Sequence, residues 1–236
     1  MATDVNFGQQ QYFGFDPRMI PGCVLWLDGA DPTYSTPPAN NTIISTWFDK
    51  SGRANNATGY NNPNYISNAI NTVGGISLTS SQHFRATPVS FLTSNSMTTF
   101  AVATTTATLP RSGSDQRLVS FSTNSATADW NNTASVIALF NQGGSSTIGT
   151  YRNAWIASNA IAQNTPFMAV SLYDGANGFV FFNGSAGSFT GTASSGNFNV
   201  GAYAIGNQAA NTTEYWNGFV GEVITYNRNL SSNERQ

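Results

Sequence analysis

The stretch Met168–Gly184, MAVSLYDGANGFVFFNG, decides the fold of this chain. Its first half alternates at the two-residue period of a strand with one buried face: Met168, Val170 and Leu172 alternate with Ala169, Ser171 and Tyr173. Asp174–Gly178 and Asn183-Gly184 then supply residues that adopt the positive φ values of tight hairpin turns. The stretch therefore predicts a β-hairpin that runs directly into another.

The same pattern extends outward in both directions. Short apolar runs are separated by Ser-Gly, Asn-Asn, Gly-Gly, Asn-Gly and proline-containing turns, and no segment sustains a helical period. The predicted strands are Cys23–Leu27, Ile43–Phe48, Ile76–Leu78, His83–Ala86, Thr98–Thr104, Arg117–Ser122, Ser135–Asn141, Ile148–Asn153, Trp155–Ala157, Phe167–Tyr173, Gly178–Phe182, Phe198–Ile205 and Phe219–Asn227. So many short strands predict an all-β sandwich of two antiparallel sheets. We expect one domain over residues 20–236, preceded by an extended N-terminal arm over residues 1–19 that is rich in Gln, Asn and aromatic residues.

Composition indicates a folded chain with an unusual surface. Apolar residues make up 40% and aromatic residues 13% of the 236 residues, but charged residues only 8%. The aromatic content argues against disorder. Low charge weakens repulsion between molecules, which suits a protein packed in an assembly or one that works outside the cytosol.

Several classes of partner and site are disfavoured. The net charge is −2 and the basic residues are scattered singly, so no nucleic-acid partner is expected. No apolar run approaches the roughly 18 residues of a membrane-spanning helix, and the first residues do not read as a signal peptide. The single cysteine, Cys23, cannot form an internal disulfide. His83 is the only histidine, so a two-histidine metal site is excluded.

Four motifs in order resemble a known superfamily. They are IPGCVLWLDGADPTYS from Ile20, STWFDKSGRANNAT from Ser45, SLYDGANGFVFFNG from Ser171 and YWNGFVGEVITYNRNLSSNE from Tyr215. Together they resemble the concanavalin A-like lectin/glucanase superfamily, the laminin-G-like jelly roll. The resemblance is closest to modules of large DNA viruses, phages and bacterial surface proteins, and it implies a jelly-roll sandwich.

The resemblance also raises the question of glycoside hydrolysis, which needs two carboxyl groups flanking the scissile bond. Glucanases of this fold place these groups at alternating positions of one strand, where side chains share a face. The acidic strand here is Gly221–Tyr226, and the positions two and four residues after Glu222 are Ile224 and Tyr226. A partner from elsewhere in the chain stays possible, the acids being Asp28, Asp31, Asp49, Asp129, Asp174 and Glu214, but none of them is paired two positions apart except across a turn. We therefore expect no enzyme.

Sugar binding would need an exposed aromatic side chain surrounded by hydrogen-bonding groups. The candidate platforms are Trp130, Tyr151, Trp155, Tyr215 and Trp216, and core packing is the alternative for each. Trp130 is the strongest candidate because polar residues flank it on both sides.

Lectins of this superfamily often hold Ca²⁺ through loop oxygens, so calcium is the only cofactor that the resemblance implies. Asp49, Asn55 and Asn56 are the candidate ligands. The alternative is structural: Asp49 and Ser51 close a turn in which Gly52 is left-handed.

We expect a non-enzymatic structural or surface protein of a large assembly, a minor capsid component of a large DNA virus, located in the virion. Its N-terminal arm and low-charge surface would contact other proteins of the capsid. The alternative is a lectin-like carbohydrate-binding module that mediates attachment, in an extracellular or cell-surface location. A glycoside hydrolase is the third alternative.

Overall fold

Two antiparallel β-sheets contain nearly all of the regular structure in a computed structural model of the chain. The structure describes residues 15–110, 113–130, 133–184, 190–192, 196–210 and 214–236, with the backbone alone at 157–159 and 190–192. The strands are β1 Cys23–Asp28, β2 Thr46–Trp47, β3 Ala57–Tyr60, β4 Asn64–Ile70, β5 Val73–Leu78, β6 His83–Ala86, β7 Ser96–Thr105, β8 Gln116–Ser122, β9 Val136–Asn141, β10 Thr147–Tyr151, β11 Trp155–Ala160, β12 Phe167–Asp174, β13 Asn177–Phe182, β14 Thr190–Thr192, β15 Ala202–Ile205 and β16 Gly218–Tyr226. Two 3-10 turns, Pro17–Met19 and Asn233–Arg235, complete the regular elements.

The sheets pack face to face as a sandwich. Sheet A has the order β14-β13-β12-β7-β16-β5-β4, with β1 beside the second half of β16. Sheet B has the order β11-β10-β9-β8-β15-β6-β3-β2. The all-β, two-sheet antiparallel jelly-roll sandwich predicted from the sequence is confirmed.

The hairpin in the opening stretch is present, and its turn is held by an aspartate. Strands β12 and β13 pair from Ala169 opposite Phe182 to Tyr173 opposite Gly178. The carboxylate of Asp174 accepts hydrogen bonds from the N–H groups of the two residues that close the turn, at 3.0 and 2.8 Å. Burial alone would raise the pKa of Asp174, but these bonds outweigh it and lower the pKa.

Strand β12 differs from the expectation of one buried face, because both of its faces are buried. Ala169 and Tyr173 belong to the core between the sheets, and the Tyr173 hydroxyl lies 2.8 Å from the Thr150 hydroxyl of sheet B. The opposite set includes Val170 and Leu172, each 3% exposed, which point to the outer face of sheet A. At these two positions the outer face is therefore apolar and covered, unlike the polar outer face of a simple sandwich.

Both described chain ends pack on the outer face of sheet A. The Tyr226 hydroxyl donates to the Pro17 carbonyl at 2.9 Å. At the other end, the Leu230 N–H donates to Thr98 Oγ1 at 3.0 Å, and the Arg235 guanidinium lies 4.4 Å from the centre of the Phe181 ring. The predicted arm over residues 1–19 is described only from Phe15 onward, and residues 1–14 lie outside the described part. Within the described ranges, no helix has the length and apolar character needed to cross a membrane.

Candidate functional site

An aromatic pocket opens on the outer face of sheet B. Thr150 points inward to sheet A, so its neighbour Tyr151 on β10 points outward. The pocket has a volume of about 240 Å³ and contains three of the five candidate aromatic platforms. It is lined by Asp115, Arg117, Trp130, Ile137, Phe140, Gln142, Tyr151, Trp155 and Glu214.

The three aromatic platforms come from separate elements. Tyr151 and Trp155 are register partners across the β10–β11 hairpin, which sets them side by side. The Trp155 ring packs edge-on against Phe140, with centroids 4.6 Å apart and planes at 76°. Trp130 comes from the loop between β8 and β9 and is 51% exposed. The pocket thus combines fixed aromatic walls with one ring open to solvent.

A buried arginine forms one side of the pocket and organises its carboxylates. Arg117 is 2% exposed and lies 2.8 Å from Asp115, 2.8 Å from Glu214 and 3.3 Å from Asp129. Its guanidinium carbon also lies 5.0 Å from the centre of the Phe140 ring. Burial raises the pKa of Asp129, and the charge of Arg117 opposes that rise. This network fixes Asp115 and Glu214 at the rim, where their carboxylates remain partly accessible.

The other two candidate platforms lie outside the pocket. The Tyr215 backbone bridges to Arg117, but its ring lies 5.9 Å from the His83 ring and does not line the pocket. Trp216 is 0% exposed and packs against Phe167 in the core. The proposal of Trp216 as a stacking platform is therefore corrected: core packing leaves no face of its ring for a ligand.

Sequence reasoning missed the polar half of the pocket. Asp115 and Glu214 are almost a hundred positions apart, and Gln142 lies on a third segment. Only the strand pairing and the buried Arg117 bring them together. The one local signal was the spacing of Asp115 and Arg117, which places both side chains on one face of a strand.

The candidate calcium loop is closed by its own hydrogen bonds. The Asp49 carboxylate accepts from the N–H groups of Trp26, Ser51 and Asn55, each at 2.9 Å, and from the Ser51 hydroxyl at 2.8 Å. Asn56 Oδ1 accepts from the Asp49 N–H, while the Asn55 side-chain amide donates to the Val24 carbonyl. The structural alternative to a calcium site is confirmed: the Asp49 carboxylate accepts a hydrogen bond from the Ser51 N–H, and Gly52 is left-handed with a φ of +85°.

A lysine neutralises the acids beside that loop. Lys50 Nζ lies 2.8 Å from Asp28 and 2.9 Å from Asp31. Burial by itself lowers the pKa of Lys50, but the two carboxylates outweigh it and raise the pKa. Among the described residues, no three His, Cys, Asp or Glu side chains group as metal ligands would. The residues present therefore fit a lysine-centred ion cluster better than a calcium site.

The acidic strand has a carboxylate partner across the sheet. As expected, Glu222 has no acidic neighbour along β16, but Asp28 of β1 is its register partner. Glu222 Oε1 accepts from the Trp26 indole at 2.9 Å. Burial raises the pKa of Glu222; Asp28 adds to the rise, and the bond from Trp26 opposes it. Asp28 and Glu222 both line a pocket of about 280 Å³, in which the Asp28 carboxylate is already engaged by Lys50 and by the Ala30 N–H.

Comparison with known proteins gives a likeness of fold. No family model matches the sequence, and no curated protein matches it. A Trypanosoma rangeli sialidase in complex with sialic acid is similar in structure, with a TM-score of 0.61 and 16% identity over 91% of this chain. The match covers 32% of the sialidase, so this chain spans about a third of that protein.

Two further structures have similar folds. Domain 4 of AbnA, a GH43 extracellular arabinanase from Geobacillus stearothermophilus in complex with arabinotriose, matches with a TM-score of 0.60 and 12% identity, over 90% of this chain and 95% of that domain. The binding domain of botulinum neurotoxin serotype G matches with a TM-score of 0.60 and 12% identity, over 90% of this chain and 49% of that one. At these identities the likeness establishes a shared β-sandwich fold.

Proposed function

We propose that this protein is a non-enzymatic, lectin-like carbohydrate-binding module whose site is the pocket of Trp130, Tyr151 and Trp155. The observation that carries the proposal is the convergence of these three rings, from separate segments, beside the carboxylates of Asp115 and Glu214. Among the similar structures, the sialidase and the arabinanase domain were each solved with a sugar bound, which supports this class of ligand.

The chemistry of the pocket suits a sugar ring. Pyranose and furanose faces carry C–H groups that pack on aromatic rings, and their hydroxyls donate to carboxylates and amides. Asp115 and Glu214 are 28% and 21% exposed at their side chains, so a ligand in the pocket can reach them. A volume of about 240 Å³ lies just below the roughly 300–1,000 Å³ of sites for drug-sized ligands, which suits one sugar residue rather than a long chain.

Binding is proposed in place of hydrolysis because the acids of the pocket are structural. Asp115 is tied to both Arg117 and the Gly143 N–H, and Glu214 is paired with Arg117. Hydrolysis needs one carboxyl group that gives up a proton and a second that attacks or activates water, whereas both of these acids are engaged by the same guanidinium. Glu222, the acid of the glucanase alternative, lies on the opposite face of the sandwich.

A glycan array followed by calorimetric titration tests the proposal, with arabinose oligomers and sialylated glycans among the first probes. We expect Trp130→Ala and Trp155→Ala each to weaken binding at least tenfold, which corresponds to about 1.4 kcal/mol. Tyr34→Ala is the matched control, because Tyr34 is 52% exposed but does not line the pocket.

The result that contradicts the proposal is equally definite. If no glycan binds, or if the pocket variants bind as tightly as the unaltered chain while remaining folded, the site is wrongly assigned. Hydrolysis of a bound glycan that Glu222→Gln abolishes would instead support the glucanase alternative.

A second candidate role, as a structural component of a large particle such as a virion, rests on composition. Charged residues make up only 8% of the chain, and such a surface favours protein contacts over dispersal. This role is compatible with sugar binding, because a particle protein that also holds a glycan would mediate attachment.

A further inference from the structure

The outer face of sheet A is apolar over its three central strands. Across β7, β12 and β16, register partners share a face, so Val102 lies beside Met168 and Glu222, and Phe100 lies beside Val170 and Ile224. Glu222 is the one charged residue in this set. An antiparallel sheet that faced water would place polar side chains here, so this face requires a cover.

The described chain ends supply part of that cover. At one side the first 3-10 turn brings Ile20 against the cluster that contains Ile224, Tyr226 and Leu230. At the other side Arg235 lies over the ring of Phe181. Between the two ends remains an open groove of about 590 Å³.

The groove is mainly apolar and has a polar rim. Phe100, Val102, Met168 and Ile224 form its floor, and it is also lined by Phe15, Ile20, Tyr226, Glu222 and residues 233–236. Its volume falls within the roughly 300–1,000 Å³ typical of binding sites. Phe15 points to the occupant, because it is the first described residue and it already lines the groove.

The fourteen residues before Phe15 have the composition that this groove would accept. They contain Phe7, Tyr12 and Phe13, and Asp4 is their one charged side chain. In an extended segment residues two apart share a side, so Phe13 would follow Phe15 onto the groove. Fourteen residues span at most roughly 50 Å, which is enough to reach every part of the floor.

We propose that residues 1–14 dock into this groove of their own chain, with Phe7, Tyr12 and Phe13 covering the apolar floor. Docking within one chain is favoured over docking onto a second copy because the tether at Phe15 holds the segment at an effective concentration of roughly millimolar. Even a weak intrinsic affinity then keeps the groove occupied. This proposal is independent of the sugar site, which lies on the outer face of the other sheet.

Limited chymotrypsin digestion of the full chain tests the proposal, with the released N-terminal peptides counted by mass spectrometry. Chymotrypsin cleaves after aromatic residues, and we expect the bonds after Phe7, Tyr12 and Phe13 to be protected. Met168→Glu places a charge on the groove floor and should accelerate these cuts at least tenfold. Ile43→Glu is the control, because Ile43 is 58% exposed and lies outside the groove.

Equal cleavage rates in the unaltered chain and in folded Met168→Glu would overturn the proposal. Protection that increases with protein concentration would also overturn it, by assigning the segment to the groove of a second copy. A second measurement covers a Met168→Glu chain that does not fold. Replacing Phe7, Tyr12 and Phe13 by Ser leaves the sandwich unaltered and should raise the fluorescence of an apolar dye at least threefold; an unchanged signal contradicts docking.

Discussion

The only histidine of the chain, His83, is buried between the aromatic rings of Tyr60 and Tyr215. His83 stacks on Tyr60 with centroids 4.8 Å apart and planes 2° from parallel, and its Nδ1 lies 2.9 Å from the Ser81 carbonyl. Burial lowers the pKa of His83; the nearby Arg85 adds to this effect, and the bond to Ser81 opposes it. The stacking on Tyr60 and the contact with Ser81 give this imidazole a structural role.

This burial predicts that the free energy of unfolding decreases as the pH falls from neutral to below the unfolded-state pKa of His83. The folded-state pKa lies below the unfolded value of about 6.5, so the unfolded chain binds more protons. The contribution of His83 is complete above about pH 6.5 and is lost as the pH falls through the folded pKa. Urea unfolding measured across this range should show the decline, and His83→Gln should flatten it. An equal slope in the variant would contradict the assignment, because the substitution removes the contribution of His83 and leaves those of the buried carboxyls Asp129 and Glu222 in place.

The Asp49 loop predicts a stability that does not depend on calcium. Its carboxylate already accepts four hydrogen bonds, and Lys50 supplies the positive charge that the neighbouring acids need. The melting temperature should not change when calcium is added at about 5 mM, a concentration above the Kd of even weak extracellular sites. A chelator should not change it either. A stabilisation by calcium that Asp49→Asn removes would contradict this.

Asp49→Ala should by contrast destabilise the fold. Four donors lose their acceptor, and leaving buried donors unpaired costs about 1–3 kcal/mol. Chemical denaturation measures the loss directly. Asp16→Ala is the control, because the ion pair of Asp16 with Arg18 is exposed at the surface and contributes at most about 1 kcal/mol.

The sequence predicts the exposure of some aromatic side chains correctly and that of others wrongly, for reasons that differ from residue to residue. Trp130 could be chosen as exposed because both of its flanks are polar, and it is exposed. Trp216 could not be assigned to the core because it sits among turn residues, and only its contact with Phe167 shows where it points. The Arg117 network was beyond prediction, since its partners are distant in sequence.

The β10–β11 hairpin carries Tyr151 and Trp155 of the aromatic pocket, and its packing depends on one glycine. A Cβ added at Gly149 would lie 2.7 Å from Cη2 of Trp155 and 2.5 Å from the Ile156 carbonyl oxygen. The absence of a side chain there lets the Trp155 ring approach the strand closely. The wall of the pocket is thus set by β10 as much as by Trp155.

Gly149→Ala should displace Trp155, cost about 1–3 kcal/mol of stability from overpacking, and weaken any glycan binding. Thermal unfolding and calorimetric titration measure the two effects. In the double variant with Trp155→Ala, the part of the cost that arises from the ring should disappear, so the two changes should not add. Additive losses would mean that Gly149 acts through the backbone alone.

Strand elements are predictable where apolar residues alternate and are missed where asparagines dominate. The sequence predicts His83–Ala86 with the observed bounds, whereas Ile43–Phe48 is reduced to Thr46–Trp47. Strands β3 and β4 escape prediction because Asn-rich sequence favours turns, and because β4 has an irregular register between Ile66 and Ile70. The tight turn between β4 and β5 places Asn71 and Thr72 at positive φ values of 46° and 68°. Asparagine tolerates such values, which is why this segment reads as a turn in the sequence.

At the scale of the whole molecule, low charge predicts self-association near the isoelectric point. The sequence pI is about 5.1, so charge repulsion is weakest there. Sedimentation velocity at low ionic strength should show reversible association near pH 5 that weakens by pH 8. Defined, closed oligomers would support the particle role. A chain that stays monomeric at high concentration across this range would count against it.

The sandwich places its two surface features on opposite sides. The aromatic pocket opens from sheet B, while Phe15 and Gln236 both border the groove on sheet A. A linker, a dye or a solid support joined at Gln236 would therefore leave the aromatic pocket pointing the other way. Many copies fixed side by side in this manner would present their pockets to one surface, and a weak contact at each pocket would then add up to a strong collective one.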